Sequence, residues 1–393
     1  MGSLTSARQN VGNLQEWAAP FCQLRRMKTT PFRINVSEAV LSDLRDRLAR
    51  TRWPDQPQDA GWSMGTDLNY MKRLVEHWQH RYDWRKHEAE LNALPQFTAE
   101  VDGLQLHFVH ERGSSPKPAL LLLHGWPDSF YRFHKVIPLL AQSFDLVVPS
   151  LPGTGFSTRT ALSTNATADL LVKLMAGLGY QKFMAAGGDM GSTIAIALGQ
   201  RHPQAVVGLH LTDVGYPDGN TDFTSLSPEE QEFAGFVQSW WMREGAFNLV
   251  HSTKPQSLAF GLNDSPAGLA AWIMSVVASG TEDKLDERFT LDELLTNITL
   301  YWVTETAASS LRNYLENARA MYGDPSAVAA GPPTVPAAVA HMPWDAPLPR
   351  AWAERKVNVQ QFSEMPKGGH FSAWEVPQAY AQDLQQFARR LKL

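Results

Sequence analysis

Residues 182–203, KFMAAGGDMGSTIAIALGQRHP, pass from an apolar run through a glycine-rich turn into a helix-forming stretch. Around position 189 the turn has small residues at Gly187, Gly191 and Ser192. That is the small-x-nucleophile-x-small spacing of a nucleophile elbow, where a strand ends, a reactive side chain stands at the apex and a helix begins. Such a turn needs a parallel sheet to close on and a helix to lead away, so it commits the chain to an α/β architecture. The apex residue is Asp189, in a position normally held by serine. The competing reading is an aspartate that only caps the following helix through its backbone N–H groups.

The rest of the chain supplies the sheet. QFTAEVDGLQLHFVHER predicts two strands hinged at Asp102-Gly103. PALLLLHGW is continuously apolar, as a strand buried on both faces must be. FDLVVPSLPG and AVVGLHLTDV predict further strands, with helices near 167–178 and after the elbow. From about 216 to 325 the text turns helical and Trp-rich with no clear strand. The sheet resumes at TVPAAVAHM and VNVQQFSEM, and a helix over 378–391 closes the chain. The expectation is an α/β-hydrolase fold: a mostly parallel, doubly wound sheet in two parts, 96–215 and 326–393, with a helical lid over 216–325.

Upstream, residues 31–95 read as an N-terminal helical arm packed on the main domain. Ser37 is a candidate cap before Leu41, Leu44 and Leu48, and a second amphipathic helix covers 67–80. Residues 1–30 read as a poorly ordered leader, with Met27 an alternative start, and resemble neither a signal peptide nor an anchor.

Composition removes other classes. With 44% hydrophobic and 19% charged residues the chain is an ordinary globular protein, and a net charge of −5 gives no reason to expect nucleic acid as a partner. Cys22 is the only cysteine, which rules out an intrachain disulfide and thiolate metal sites. The twelve histidines show no paired-ligand spacing, so neither metal nor cofactor is expected. A cytoplasmic monomer or homodimer is the expected setting.

Three further segments carry chemistry. His124-Gly125-Trp126-Pro127 follows a buried strand directly, where this fold takes one oxyanion-hole N–H; the other comes from the residue after the nucleophile. Those donors are Trp126 and Met190; Pro127 has no N–H. His370, after Gly368 and Gly369 and late in the chain, is the candidate base. For the acid, Asp345 in VPAAVAHMPWDAPLPR leads, and Asp213, at the end of AVVGLHLTDV, is the competitor.

A serine that attacks a saturated carbon forms an ether the site could not release. A carboxylate forms an alkyl ester, and a water activated by His370 can cleave its carbonyl. Asp189 therefore points to substitution at an sp3 carbon with a leaving group: an epoxide, an alkyl halide or a fluoroacetate-like acid. An epoxide oxygen leaves as an alkoxide and needs a proton donor, for which Tyr314 in the lid is a candidate.

Several segments together resemble the microsomal-type epoxide hydrolases, including the juvenile-hormone and fungal members. They are PFRINVSEAVLSDLRDRLARTRWPDQ, LLLHGWPDSFYRF, PSLPGTGFS, GGDMGS, STKPQSLAFGLNDSPAGLAAWI, YWVTETAASSLRNY and PKGGHFSAWEVP. The resemblance implies Asp189 as nucleophile, His370 as base, Asp345 as acid and Tyr314 as one of two lid tyrosines that hold the epoxide oxygen. It implies a small hydrophobic epoxide as substrate, with detoxification or secondary metabolism as the setting. Two residues depart from the family pattern. Met190 stands where Trp is common, and Phe247, in REGAFNLVHSTKP, stands where the first lid tyrosine belongs. Both, with Trp126, are expected to wall the substrate pocket. Phe247 keeps open a second reading, a non-hydrolytic or cyclising enzyme on the same scaffold. A dehalogenase and a binding protein with a dead site stand behind it.

Overall fold

A computed structural model describes residues 27–393 except 114, 220, 282–283 and 324–330. The leader assigned to residues 1–30 therefore lies mostly outside the described residues, but its last residues do not behave as a leader. Thr29–Phe32 form strand β1, with Thr29 and Thr30 paired to Ala99 and Thr98. β-Branched threonines suit an extended edge, and the ladder satisfies their backbone groups.

The strands β2 (Gln96–Val101) and β3 (Leu104–Glu111) form the expected hairpin, with Asp102 and Gly103 at φ 51° and 77°, as a tight two-residue turn requires. Then come β4 (Ala119–Leu123), β5 (Asp145–Pro149), β6 (Phe183–Gly187), β7 (Val206–Leu211), β8 (Pro336–His341) and β9 (Asn358–Glu364). They build one sheet in the order β1-β2-β3-β5-β4-β6-β7-β8-β9. From β5 to β9 every neighbouring pair is parallel, and β1 to β3 join antiparallel. All residues of β4, β5 and β6 are buried, which is why these segments are apolar apart from Asp145, whose carboxylate accepts from the Gly113 N–H and the Tyr180 hydroxyl. Because β4, β6, β7 and β8 run the same way, the loops leaving them emerge at one edge of the sheet.

Between β7 and β8 the chain is helical, with helices Pro228–Glu244, Ala246–Thr253, Pro255–Asp264, Pro266–Ser279, Leu291–Thr304 and Ala307–Gly323. The arm forms helices Glu38–Ala49, capped by Ser37, Leu68–His80, capped by Asp67, and Trp84–Leu91. Sequence reading placed the arm on the main domain. The arm meets that domain through β1, where Phe32 packs on His107, while its helices pack chiefly on the helical insertion, on Pro266–Ser279 and Leu291–Thr304. Leu41, Leu44, Leu48, Leu74 and Trp78 are buried there, each contributing about 1.5–3 kcal/mol. Around that contact Thr66 Oγ1 donates to Ala271 O at 2.6 Å, His77 meets Asp292 at 2.7 Å and Arg47 meets Asp264 at 2.8 Å. An insertion with apolar residues on both sides needs two partners, and the arm is the second. Among the described residues no helix is long and apolar enough to cross a membrane.

Candidate active site

Asp189 stands between β6 and the helix Met190–Arg201 with φ 57° and ψ −133°, a conformation L-residues rarely adopt. The turn closes because its neighbours are small: a Cβ on Gly191 would lie 2.0 Å from the Leu123 carbonyl oxygen. Although Asp189 sits at the N-cap position, its side chain makes no capping hydrogen bond. The capping alternative fails, and the carboxylate is turned to other partners. Its Oδ1 accepts from the Trp126 N–H at 2.9 Å, and its Oδ2 lies 3.4 Å from His370 Nε2. Gly125 is needed for that approach, since a Cβ there would fall 2.2 Å from Asp189 Oδ1. Met190 opens the elbow helix, so its N–H is one of the first-turn amides a helix leaves unpaired. Its side chain borders a narrow cleft with Leu151, Ile194 and Asn313.

The loop that offers Trp126 is anchored from several sides. Asp128 Oδ1 accepts from the Gly125 N–H at 2.7 Å, and Asp128 Oδ2 pairs with Arg132, both side chains fully buried. From the insertion, Asn297 donates to Pro127 O at 2.8 Å and Tyr301 to Asp128 O at 2.6 Å. Arg132 also donates to the His370 carbonyl at 2.7 Å, tying this loop to the one that carries the imidazole. Sequence reading passed over Asp128, Arg132, Asn297 and Tyr301. Their available signal was polar residues inside otherwise apolar segments, which must be paired if buried.

His370 Nδ1 faces Asp345 Oδ2 at 3.2 Å. Burial opposes the imidazolium, but the Asp345 charge and the contacts to both aspartates outweigh it and hold His370 well above its usual value. The same pairing holds Asp345 below the ordinary carboxylate range despite its burial. Asp213, the competing acid, makes a different contact. Its Oδ2 accepts from the backbone N–H of Asp189 at 2.7 Å. Burial raises its carboxyl to about 6; the His370 charge lowers it, and Asp189 and Asp345 push it up.

Above the elbow lies an aromatic wall. Tyr314 belongs to the helix Ala307–Gly323, which is pinned to the β5–β6 connection: Ser309 donates to Gly153 O at 2.7 Å and Asn313 to Pro152 O at 3.0 Å. Ser310 accepts from the Trp126 indole at 3.2 Å. Phe247 stacks on Trp126 with ring centroids 5.9 Å apart and meets Tyr314 edge-on at 6.2 Å. Burial first, and the Asp189 charge second, keep the Tyr314 phenol protonated, well above its usual value. His251, one helical turn after Phe247, was also missed. It is fully buried, 4.6 Å from the Trp126 ring and 5.0 Å from that of Tyr314, and its Nε2 accepts from the Trp272 indole at 2.9 Å. Burial drives its pKa down to about 3, so it is a neutral part of the wall. Among the described residues no group of three or more His, Cys, Asp or Glu is placed to hold a metal ion.

Thus the structure brings Asp189, His370, Asp345 and the Trp126 amide into contact, with Phe247 and Tyr314 around Trp126. A carboxylate with one oxygen held by an amide and the other beside an imidazole can attack an sp3 carbon to form an ester, which water activated by the imidazole can then hydrolyse.

Two family models match the chain: epoxide hydrolase N terminus over residues 29–133 and alpha/beta hydrolase fold over residues 118–377. Epoxide hydrolase 1 of Sus scrofa is 34% identical, with 91% of this chain and 88% of that protein aligned. Juvenile hormone epoxide hydrolase from the silkworm Bombyx mori has a similar structure, with a TM-score of 0.84 at 28% identity, covering 94% of this chain and 96% of that one. For the Aspergillus niger epoxide hydrolase the TM-score is 0.82 at 28% identity, covering 93% and 97%.

Proposed function

The chain belongs to the epoxide hydrolase family of the α/β-hydrolase fold, and on that footing we propose that it opens a hydrophobic epoxide to a vicinal diol through a covalent ester on Asp189. One observation carries the reading: Asp189 Oδ1 is held by the Trp126 N–H at 2.9 Å while Oδ2 faces His370 Nε2 at 3.4 Å. Oδ2 is then the attacking oxygen. It bonds to an epoxide carbon, the carbon–oxygen bond of the ring breaks, and the ring oxygen takes a proton from Tyr314. Oδ1 becomes the ester carbonyl oxygen and already lies where an oxyanion is stabilised. His370 takes a proton from water and the water oxygen adds to the Asp189 carboxyl carbon. The tetrahedral intermediate then breaks its bond to Oδ2, which leaves with the substrate carbon and takes the proton back from His370 to complete the diol. The proton released as Asp189 re-ionises restores the Tyr314 phenol. Asp345 orients the imidazole and balances its charge. The wall of Trp126, Phe247 and Tyr314 favours an apolar, aromatic or terpenoid substrate.

His370→Gln tests the two steps separately. The variant should alkylate but not hydrolyse, so intact-protein mass spectrometry with styrene oxide should show an adduct of one substrate mass. Binding without any adduct would contradict the ester.

Phe247 supports a second reading, in which the scaffold opens epoxides without adding water. A cyclised product in place of the diol would establish it.

A further inference from the structure

The strand order places three carboxylates side by side. Asp189 leaves β6, Asp213 follows β7 and Asp345 follows β8, and β7 lies between the other two in the sheet. His370 reaches from Asp189 Oδ2, at 3.4 Å, to Asp345 Oδ2, at 3.2 Å, and so spans the end of β7. Asp213 is buried there, with its Oδ2 on the Asp189 N–H at 2.7 Å. An amide acceptor need not be charged; a serine or asparagine oxygen would hold the elbow as well. A buried carboxylate between two others is therefore an expensive peg, and it needs a second reason.

We propose that Asp213 is a positioning residue for ester hydrolysis, supplying beneath His370 the negative charge that Asp189 gives up when it becomes an ester. This rests on the two-step reading above. In the resting site the imidazole has carboxylates at both nitrogens. Once Oδ2 is bonded to carbon, Asp189 is neutral and only Asp345 remains in contact. The next step needs an imidazolium: water loses a proton to Nε2, its oxygen bonds to the Asp189 carboxyl carbon, and the carbonyl electron pair moves to Oδ1. A fixed charge at Asp213 favours that proton transfer without touching the reacting atoms. The charged or titratable groups around Asp213 are Asp189 from β6, Asp345 from β8, His370 from the loop after β9 and Tyr216 further along its own strand exit. Arg132, beside Gly188 and Thr212, is the nearby cation and is already paired with Asp128.

Rapid-quench single turnovers of styrene oxide from pH 5 to 9, resolving alkylation from hydrolysis, test this. Asp213→Asn keeps the oxygen that accepts the Asp189 N–H and removes the charge. Hydrolysis should slow about tenfold more than alkylation. Its acid limb should move down by about one pH unit, the size a lost neighbouring charge produces, because the imidazole loses its proton more readily. Asp213→Glu, which restores the charge, should restore the limb. A hydrolysis rate and limb equal to those of the unaltered enzyme would make Asp213 a structural peg and overturn the proposal. If Asp213→Asn does not fold, Asp345→Asn decides: with Asp213 present it should hydrolyse its ester slowly but measurably. Normal alkylation with no hydrolysis in that variant would overturn the proposal. Failure of the unaltered enzyme to form any Asp189 adduct would instead defeat the two-step reading.

Discussion

Asp189 is held in a backbone conformation that costs about 1–3 kcal/mol, and its partners explain why it persists. The Asp213 carboxylate grips its amide, the Trp126 N–H grips one side-chain oxygen, and no side-chain hydrogen bond to the helix competes. Asp213 itself is stability given up for function. A carboxyl raised from 3.8 to about 6 destabilises the folded state once ionised, by roughly 3 kcal/mol. The sign follows from proton uptake: the folded protein binds this proton more tightly, so stability falls as pH rises through 4 to 6. Asp213→Asn should therefore raise unfolding stability by up to that amount at pH 8, with the gain shrinking toward pH 4, as denaturant titration at the two pH values would read. Phe247 calls for the opposite experiment. It lies edge-on to Tyr314 and stacks on Trp126, where an added phenol would join the same wall. If Tyr314 alone protonates the opening oxygen, Phe247→Tyr should speed alkylation of simple epoxides about tenfold, corresponding to about 1.4 kcal/mol of a donor's usual 2.7–4, and leave ester hydrolysis unchanged. Flat alkylation with a weakened native activity would show that Phe247 is suited to another reaction.

The elements divide into those whose sequences announce them and those that only tertiary contact defines. β4 and β6 were legible because burial on both faces demands unbroken apolar runs, β5 because its run breaks only at Asp145, and the elbow because its turn tolerates only small neighbours. Ser37 and Asp67 mark their helix starts by the same local logic, each accepting a backbone N–H three residues on. Asp345 over Asp213 was a matter of distance, since both follow strands with the right order in the chain; only the register of β7 and β8 puts one on the imidazole and the other on the elbow amide. The arm's docking site was illegible for a similar reason. An amphipathic face at Leu41, Leu44 and Leu48 states that a partner exists, not which one. Docking on the insertion gives the arm a functional consequence: it braces Leu291–Thr304, whose Asn297 and Tyr301 hold the Trp126 loop. Leu74→Ala, in the arm and fully buried, should cost about 2–5 kcal/mol of stability. Because the insertion loosens with it, alkylation should slow at temperatures where the fold is still intact. A destabilised variant with an unchanged alkylation rate would mean that the arm only adds stability.

Across the whole molecule, one sheet edge collects the site. β4 delivers the Trp126 amide, β6 Asp189, β7 Asp213, β8 Asp345 and the loop after β9 His370, while the insertion lowers Tyr314 and Phe247 from the other side. A doubly wound sheet places ligand chemistry at the carboxyl ends of its strands, and here every group given a part in the proposed reaction comes from that edge or from the cover above it. The family is defined by epoxide opening, and the route proposed here is attack by an enzyme carboxylate, then water at that carboxylate's own carbon. A single turnover in heavy-oxygen water distinguishes this route from direct attack by water. With enzyme in excess over styrene oxide, the account predicts an unlabelled diol, whose new oxygen comes from Asp189, and heavy oxygen retained in the peptide that contains Asp189. A labelled diol with an unlabelled Asp189 peptide would contradict it.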